Sequence, residues 1–509
     1  MKASSRMPVR KELRMFTILD WIVLVFYILF SVGVGMWASR GSNKGFGEYM
    51  RGGGSMPWFA IGISLIATSV SATTFLGNPA EAYSADMSFL MNNIGALIAI
   101  IVVGVVFIPR IRRSGISSAY ELFEVRFSPI VRRLAAIFYS LHLLLRMGIL
   151  LYAPSLVLAP ILGIDIHLAI LVTAVVATIY TWYGGFKAVI WTDVLQFAVL
   201  FGGGIIALYI LSQGVGGFSE MWNLASASGK TRFFDASNWN PANARNLLSA
   251  GLAYAVIEIS IRGCDQQFVQ RYLSCDSIKS ANASSILSMI LGVFVSVLFF
   301  WVGAGLFVYY RVSGVGELPA GVPLNGVFPY FIVHVMPSGA TGLVIAAIYA
   351  AAMSSLSSAI NALGNTTVKD ILLVRSENAA ALAKAKKWTI LWAVLSTLCA
   401  FIAADMQSSL LSNALFFTGL FTGPLLALFL LAFFSHKLTS SAVIVGVLFG
   451  MASILLFNPI PFIPAYHPPF EGVFCFFWNP VISCVSTLVV VSILRFVFPK
   501  RTLKKEEIG

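Results

Sequence analysis

The feature that most constrains this chain is a series of apolar stretches, each about twenty residues long, that recurs from Leu19 almost to Pro499. A helix needs about twenty apolar residues to cross the hydrocarbon core of a bilayer. Strands of a membrane barrel would instead alternate apolar and polar residues over segments of about ten. Charged residues make up only 11% of the chain, against about 25% in soluble domains. The sequence therefore predicts an all-α polytopic membrane protein and excludes a water-soluble enzyme.

The breaks between these stretches predict about thirteen transmembrane helices. Their cores lie near 19–38, 57–82, 88–109, 134–157, 166–183, 188–212, 247–270, 284–310, 340–368, 388–404, 408–434, 440–457 and 472–498. Tails of 1–18 and 499–509 flank them. An odd number of spans puts the termini on opposite faces of the membrane. With the C-terminus inside and the N-terminus outside, most Lys and Arg residues lie in inside segments, which is the distribution that cytoplasmic loops favour.

The net charge of +13 raises the alternative of a nucleic-acid partner. That function needs a basic patch on a folded soluble surface, whereas here Lys and Arg lie mainly in loops between apolar stretches. We interpret the charge as topology control and expect no nucleic-acid partner. The five cysteines are odd in number and lack CxxC spacing, so we expect buried thiols. The largest polar loop, Gly214–Arg245, is expected to pack as a partial outer lid, because it carries aromatic residues that include Trp222, Phe233, Phe234 and Trp239.

The second apolar stretch contains a run of hydroxyl residues inside the membrane. Ala67–Phe75 holds five Ser and Thr residues in nine, and Pro79 follows. One or two hydroxyls can bond back to a carbonyl one turn earlier, which is the alternative interpretation. Five of them before a proline favour a locally unwound helix whose free carbonyls face a cavity.

The ninth stretch carries a stripe of small polar residues. At 100° per residue, Ala351, Ser354, Ser355 and Ser358 lie within an arc of about 100°, which Ser357 extends. Close helix packing explains the alanines and some of the serines. The alternative is a sodium site, because clustered neutral oxygens suit a hard monovalent cation. Spacing alone does not separate the two interpretations.

Five charged residues lie inside predicted spans. Glu258 and Arg262 are four apart, so we expect them to pair on one helix face, with Asp265 nearby. Arg146 has no partner one turn away, and it needs an anion. Either a carboxylate on another helix, Glu258 or Asp265, or a substrate supplies it. Asp193 similarly needs a cation.

The sequence lacks the patterns of an enzyme or a channel. The histidines show no HxxxH pairing, and neither a glycine-rich phosphate loop nor a GxSxG motif is present. A channel needs a repeated filter or a ring of charges, and the chain shows neither. These observations leave a transporter, or a transporter-like sensor, as the functional classes.

Several ordered blocks resemble the sodium:solute symporters over essentially the whole chain. They are Gly47–Trp58, Ala67–Phe75 with Pro79, Ala188–Gln196, Val269–Tyr272, and Ala350–Asn361 with Asp370. The resemblance implies a five-plus-five inverted repeat with broken helices. The first repeat would cover 57–212 and the second 247–434, with an extra first helix at 19–38 and two C-terminal helices at 440–498. Within the family the chain is most similar to sialic acid symporters, with multivitamin and monocarboxylate carriers near.

The resemblance also implies sodium ligands, for one or two coupling ions. The main site would use the backbone oxygens of Ala67, Val70 and Ala351 and the hydroxyls of Ser354 and Ser355. A second site, found in only some members, would use Ser354, Ser357, Ser358 and Asp193.

The same resemblance implies a substrate pocket. Its residues would be Ser69, Ser71, Thr74, Asn93 and Arg146. The expected function is therefore a sodium-coupled symporter in the cell membrane that imports a small, anionic organic solute by alternating access. A neutral-sugar symporter, in which Arg146 is structural, and a membrane sensor are the alternatives. We expect a monomer in the lipid bilayer.

Overall fold

A computed structural model describes residues 16–40, 45–54, 56–234, 238–376, 378–405, 410–435, 438–460 and 466–497. Within these ranges the protein is all-helical and contains no strand. The first ten helices are α1 (Ile18–Ala38), α2 (Phe46–Arg51), α3 (Trp58–Ser69), α4 (Ala72–Ser84), α5 (Asn92–Val102), α6 (Ile108–Arg113), α7 (Glu121–Arg126), α8 (Pro129–Leu162), α9 (Ile166–Gly214) and α10 (Phe218–Ala227). The others are α11 (Tyr254–Cys264), α12 (Gln266–Ser274), α13 (Ile278–Phe307), α14 (Val327–His334), α15 (Ala340–Thr366), α16 (Ala379–Asp405), α17 (Leu410–Phe434), α18 (Ser440–Ser453) and α19 (Asn479–Val497). The predicted all-α class is confirmed.

Nine helical segments of the described chain are long and apolar enough to cross a membrane. They are Ile18–Ala38, Ser88–Arg113, Pro129–Pro160, Gly185–Gly214, Leu247–Cys264, Ile278–Val312, Ala340–Ile371, Ala379–Ala404 and Phe476–Phe496. The bent pair α3 and α4 passes the same test as a unit. Three shorter apolar helices cover Ile166–Ile179, Thr418–Phe434 and Ser440–Leu456. A polytopic membrane protein is therefore confirmed, while the total of thirteen spans stays a prediction.

Helix α15 is the centre of the bundle. Within its most apolar window 94% of the residues are buried inside the protein, against 28% for α1 and α16. Small residues permit this packing. Gly203 of α9 lies so close to α15 that a Cβ atom added to it would be only 2.7 Å from the Cβ of Ala347, which leaves no room for a side chain. On the α1 side, the Asp20 carboxylate accepts hydrogen bonds from the amides of Gly339 and Gly342 at 2.7 and 2.8 Å. The serine stripe of α15 therefore lies in the interior of the protein.

Two further breaks interrupt the long helices. Within α9 the chain turns at Gly185, whose φ of 60° favours glycine, and this turn lies between the predicted spans 166–183 and 188–212. The predicted continuous span 247–270 is wrong in detail. It breaks at Asp265, whose backbone is extended, and α12 continues to Ser274. The Asp265 side chain accepts a hydrogen bond from the Gln267 amide at 2.7 Å and so caps the new helix, which local apolar periodicity does not reveal.

The loop Gly214–Arg245, which the sequence predicts to be a partial lid, packs against the helix bundle in part. Helix α10 lies within it, and its Trp222 stacks on Trp301 of α13 with ring centroids 4.7 Å apart. Lys230 donates to the Tyr83 carbonyl at 2.8 Å at the end of α4. Phe218 of α10 also contacts Trp301, with ring centroids 5.4 Å apart, whereas Phe233, Phe234 and Trp239 are exposed. The aromatic contacts between this loop and the bundle therefore come from α10.

The five cysteines are free thiols, as predicted. Cys264, Cys275 and Cys484 are buried, whereas Cys399 and Cys475 are half-buried. Complete burial is therefore correct for three of the five.

Candidate functional site

The hydroxyl-rich helix is interrupted where the sequence predicts. Helix α3 ends at Ser69, Val70 and Ser71 are extended, and α4 begins at Ala72. The Val70 amide makes the closing hydrogen bond of α3, to the Ile66 carbonyl at 2.8 Å. The carbonyls of Ala67 and Val70 therefore belong to the end of a helix, where carbonyls lack intrahelical partners and carry the negative end of the helix dipole.

The serine stripe of α15 lies against this helix end. Ser354, Ser355, Ser357 and Ser358 are all buried. Ser355 Oγ donates to the Thr68 carbonyl at 3.4 Å, and Ser358 Oγ lies 3.1 Å from Thr68 Oγ1. The structure therefore brings together the two segments that carry the predicted main sodium ligands, Ala67 and Val70 on one side and Ala351, Ser354 and Ser355 on the other.

Asp193 of α9 contacts both α3 and the serine stripe of α15. Its carboxylate is fully buried and accepts a hydrogen bond from Ser354 Oγ at 2.7 Å and another from Ser64 of α3. Its charge is paired with Arg271 of α12, with Nη2 3.0 Å from Oδ2. The expectation that Asp193 needs a cation is thus met by a protein side chain.

Arg271 donates hydrogen bonds to residues of α3, α9 and α15. Its Nη2 donates to Ser358 Oγ at 2.6 Å, its Nε to Ser64 Oγ at 2.8 Å and its Nη1 to the Gln267 carbonyl at 2.8 Å. The side chain is 1% exposed, and burial of this kind requires partners for the charge. Arg271, Ser64 and Thr68 were not singled out as site residues from the sequence. The available signal was the polar composition of α12, whose buried face includes Gln266, Gln267 and Gln270.

The predicted second sodium ligands converge only in part. Ser354 and Ser358 lie within hydrogen-bond distance of Asp193 or of its partner Arg271. Ser357 Oγ donates to the Ser354 carbonyl at 3.0 Å, one turn earlier in the same helix. The Asp193 carboxylate is therefore already paired with Arg271, and among the described residues Ser357 is not in contact with it.

The predicted substrate residues are spread over four helices. Ser69 Oγ bonds back to the Leu65 carbonyl at 3.0 Å, and Asn93 Nδ2 donates to the Leu90 carbonyl at 2.9 Å. Ser71 is buried at the helix break, and Thr74 is half-buried in the first turn of α4. Arg146 lies on α8, which contacts α4. Ser69, Ser71 and Thr74 therefore surround the break, and Arg146 lies on a helix that contacts α4. Asn93 lies in the first turn of α5, the next α-helix along the chain.

Arg146 differs from every other charge in this region because it has no direct partner. Within the described chain, no carboxylate lies within 4 Å of it and no hydrogen bond to it is found. Its charge acts on Asp265 only electrostatically. The side chain is half-buried in a run that is otherwise apolar from Leu143 to Leu151.

The carboxylates proposed as alternative partners of Arg146 are bound elsewhere. Glu258 accepts a hydrogen bond from Arg262 Nε at 2.6 Å, which confirms the predicted helix pair, and another from Tyr254 Oη at 3.0 Å. Asp265 accepts one from Tyr139 Oη at 2.8 Å, in addition to its own helix cap. The guanidinium of Arg146 thus keeps its donors for another acceptor.

Comparison with known proteins assigns this arrangement to a family. The profile of the sodium:solute symporter family matches residues 49–450. The chain is 34% identical over 456 residues to the sodium/sialic acid symporter SiaT of Proteus mirabilis, covering 87% of this chain and 90% of that protein. It is 30% identical over 453 residues to the sodium/sialic acid symporter NanT of Aliivibrio fischeri, covering 87% and 88%.

A solved structure leads to the same conclusion. The substrate-bound outward-open state of a Na⁺-coupled sialic acid symporter superposes with a TM-score of 0.84 at 32% identity, covering 96% of this chain and all of that one. The expectation of a transporter and the resemblance stated from the sequence blocks are confirmed. The chain therefore belongs to the sodium:solute symporter family, and it is a multi-pass protein of the cell membrane that couples solute transport to sodium and is not an enzyme.

Proposed function

We propose that this symporter imports a small carboxylated solute, of the sialic acid class or a related organic acid. The observation that carries the proposal is Arg146, a half-buried arginine with no carboxylate within 4 Å among the described residues. A guanidinium binds a carboxylate through two parallel hydrogen bonds, which adds geometric specificity to the charge. The names of the two bacterial relatives support an acidic sugar as the substrate.

The pocket would form around the helix break. Ser71 and Thr74 flank the interruption between α3 and α4, and α4 contacts the helix that carries Arg146. In this arrangement Arg146 binds the carboxylate, while the hydroxyls of Ser69, Ser71 and Thr74 and the amide of Asn93 bind polar groups of the solute. Ser69 and Asn93 each already donate one hydrogen bond to the backbone carbonyl of a preceding residue and are neutral, so we expect them to contribute less than the charged Arg146.

The main sodium site would lie where α3 ends against α15. Its proposed ligands are the backbone oxygens of Ala67, Val70 and Ala351 and the hydroxyls of Ser354 and Ser355. Unwound carbonyls of broken helices coordinate sodium in transporters of this general design. The contact of Ser355 with the Thr68 carbonyl supports the proposal, because it holds both halves of the site together.

A second sodium site would use Asp193, Ser354, Ser357 and Ser358. Asp193 already shares its charge with Arg271, so this sodium must displace part of that ion pair. We therefore propose that Arg271 is a positioning residue, which stabilises the carboxylate when the ion has left. Exchange between a protein cation and a transported cation keeps the buried carboxylate neutralised throughout the cycle.

The proposed architecture is five plus five helices in an inverted repeat, with thirteen spans in total. Nine long helices, one bent pair and three shorter apolar helices are consistent with that number. The two broken helices support the repeat. α3 and α4 begin the proposed first unit (57–212), and α11 and α12 begin the second (247–434), so the interruptions occupy corresponding positions. We propose that the protein works as a monomer in the bilayer.

Sodium would drive transport by differential binding. By stabilising the outward-open arrangement, it raises the fraction of protein that is competent to bind substrate. Inward transport of net positive charge gains about 2.3 kcal/mol per charge for each 100 mV of membrane potential. A solute with one carboxylate, carried with two sodium ions, would therefore be accumulated electrically as well as chemically.

Uptake into proteoliposomes under a sodium gradient tests this function. We expect accumulation of a labelled sialic acid or monocarboxylate, and loss of accumulation when sodium is equal on both sides. Transport restricted to uncharged sugars would favour the neutral-sugar alternative and make Arg146 structural. Binding without accumulation of any substrate would favour the sensor.

A further inference from the structure

An apolar groove opens between α5, α11, α17 and α19, away from the central site. Its volume is about 390 Å³, and the residues that line it are apolar except for the Cys484 thiol. Val485 of α19 and Phe434 of α17 form part of its wall and are 52% and 56% exposed. The groove therefore opens on the outer surface of the helix bundle, where the protein meets lipid tails.

A positive charge lies at one end of this groove. Arg110 lies four residues, or about one turn, after Val106 in the same helical segment. Its Nη1 donates a hydrogen bond to the Val106 carbonyl at 3.1 Å. Its guanidinium carbon lies 4.8 Å from the ring centroid of Phe434. Both Val106 and Phe434 line the groove. Arg110 is exposed, and no carboxylate within 4 Å is found for it in the described part of the chain.

The groove runs along the helix axes. Val102 lies eight residues before Arg110, which corresponds to roughly 12 Å of helical rise. Leu426 lies at the same spacing before Phe434 on α17. Because Arg110 and Phe434 touch, these segments end at the same level, and the apolar part extends from there towards the middle of the bilayer. This shape suits a hydrocarbon chain with an acidic group at one end.

We propose that the groove binds one acyl chain of an anionic phospholipid, whose phosphate group pairs with Arg110. A zwitterionic lipid fills the apolar part equally well and also carries a phosphate, but its ammonium group offsets that charge. The preference for a headgroup of net negative charge therefore comes from the arginine. Basic pockets between membrane helices bind acidic headgroups on the same principle. The groove is lined by α5, from the first proposed repeat, and by α11 and α17, from the second. A lipid bound here therefore contacts both repeats, and we expect it to influence the transport rate.

Lipid retention by the purified full-length protein tests the site. The protein is equilibrated with phosphatidylglycerol or phosphatidylcholine of identical acyl chains, diluted in detergent, and analysed by native mass spectrometry. We expect about fivefold higher retention of phosphatidylglycerol, since one arginine near the surface contributes about that factor. Arg110→Gln should reduce it to the phosphatidylcholine level. Val485→Trp, which fills the groove, should reduce the retention of both lipids.

Arg126→Gln is the matched control, because Arg126 is also exposed and without an ion pair among the described residues. It should retain the preference for phosphatidylglycerol. Equal retention of the two lipids by the unmodified protein would overturn the proposal, as would a preference that survives Arg110→Gln or is lost equally in Arg126→Gln. Displacement of phosphatidylglycerol by soluble glycerol phosphate would show a phosphate site that does not need the acyl chain, and would also overturn it.

Discussion

Two arginines inside the helix bundle have opposite surroundings. Arg271 donates hydrogen bonds to Asp193, Ser358, Ser64 and the Gln267 carbonyl, and it is almost completely buried. Arg146 is half-buried and, among the described residues, has neither an ion pair nor a hydrogen bond. An arginine whose donors are satisfied by the protein stabilises the protein's own structure. An arginine whose donors have no protein acceptor is available to bind the carboxylate of a ligand.

This difference predicts that substitutions of the two arginines change different properties of the protein. Removal of Arg271 should lower the stability of the protein, because Asp193 then lacks its countercharge. Removal of Arg146 should leave stability nearly unchanged and lower the affinity for substrate.

Arg271→Met should cause the largest change. Breaking a buried ion pair from one side costs about 3–5 kcal/mol, because the remaining charge is left uncompensated. We expect a clear fall in the thermal unfolding temperature of the purified protein, measured by intrinsic tryptophan fluorescence. Arg146→Met is the matched variant and should unfold close to the temperature of the unmodified protein.

A double variant separates pairing from packing. Arg271→Met with Asp193→Asn removes both charges and should recover most of the lost stability. If the double variant is as unstable as Arg271→Met alone, the loss comes from packing around the guanidinium and the ion pair is not its source. Equal destabilisation by Arg146→Met would remove the contrast between the two arginines.

Arg146→Ala should lower substrate affinity by about 2–5 kcal/mol, or roughly thirtyfold or more, by analogy with other buried charge pairs. Arg146→Lys should remain impaired, because an ammonium group keeps the charge but lacks the planar pair of donors. Both variants should retain the stability of the unmodified protein. Equilibrium binding of the acid in saturating sodium gives the affinity, and normal affinity in Arg146→Ala would contradict the assignment.

Ser355→Ala should raise the sodium concentration for half-maximal uptake by about tenfold, since it removes one of few ligand oxygens contacting a cation. The control is Ser140→Ala, which removes a buried hydroxyl of α8 that only bonds back to the Ala136 carbonyl at 2.8 Å. This control should leave the sodium dependence unchanged. An equal shift in both variants would show a general effect of buried serines on the fold.

Ser357→Ala should have the smallest effect, confined to sodium cooperativity. If two sodium ions are coupled, the unmodified protein has a Hill coefficient above one for sodium, and the variant lowers it towards one. The same measurement on Asp193→Asn should show a larger reduction. A coefficient of one in the unmodified protein, unaltered by both substitutions, would leave Asp193 as a structural partner of Arg271 only.

The sequence predicted features whose cause is local. Glu258 and Arg262 pair because they are four residues apart on one helix, and α3 ends within its hydroxyl run because such residues compete for backbone hydrogen bonds. Pro79 lies inside α4, eight residues beyond Ser71. The charged residues of the central cluster are different. Asp193 and Arg271 are separated by 78 residues, and they meet only because α9, α3, α12 and α15 pack together. Periodicity contains no information about such contacts, so Asp193 was identified as needing a cation without its actual partner.

The break at Asp265 shows the same limit on a smaller scale. A single side chain, that of Asp265, caps α12 and makes the helix restart directly after α11, within residues that the apolar pattern assigns to one span. The fold class, the first broken helix and the serine stripe could therefore be predicted from local pattern. The position of the second break and the identity of the buried ion pair required tertiary structure.

The central claim is that Arg146 binds the carboxylate of the transported solute. The most direct measurement compares a transported acid with its neutral carboxamide, by equilibrium binding in saturating sodium, for the unmodified protein and for Arg146→Gln. We predict that the unmodified protein prefers the acid by roughly thirtyfold or more and that Arg146→Gln binds the two compounds nearly equally. A preference for the acid that persists in Arg146→Gln would contradict the claim, because another group would then be the carboxylate's partner.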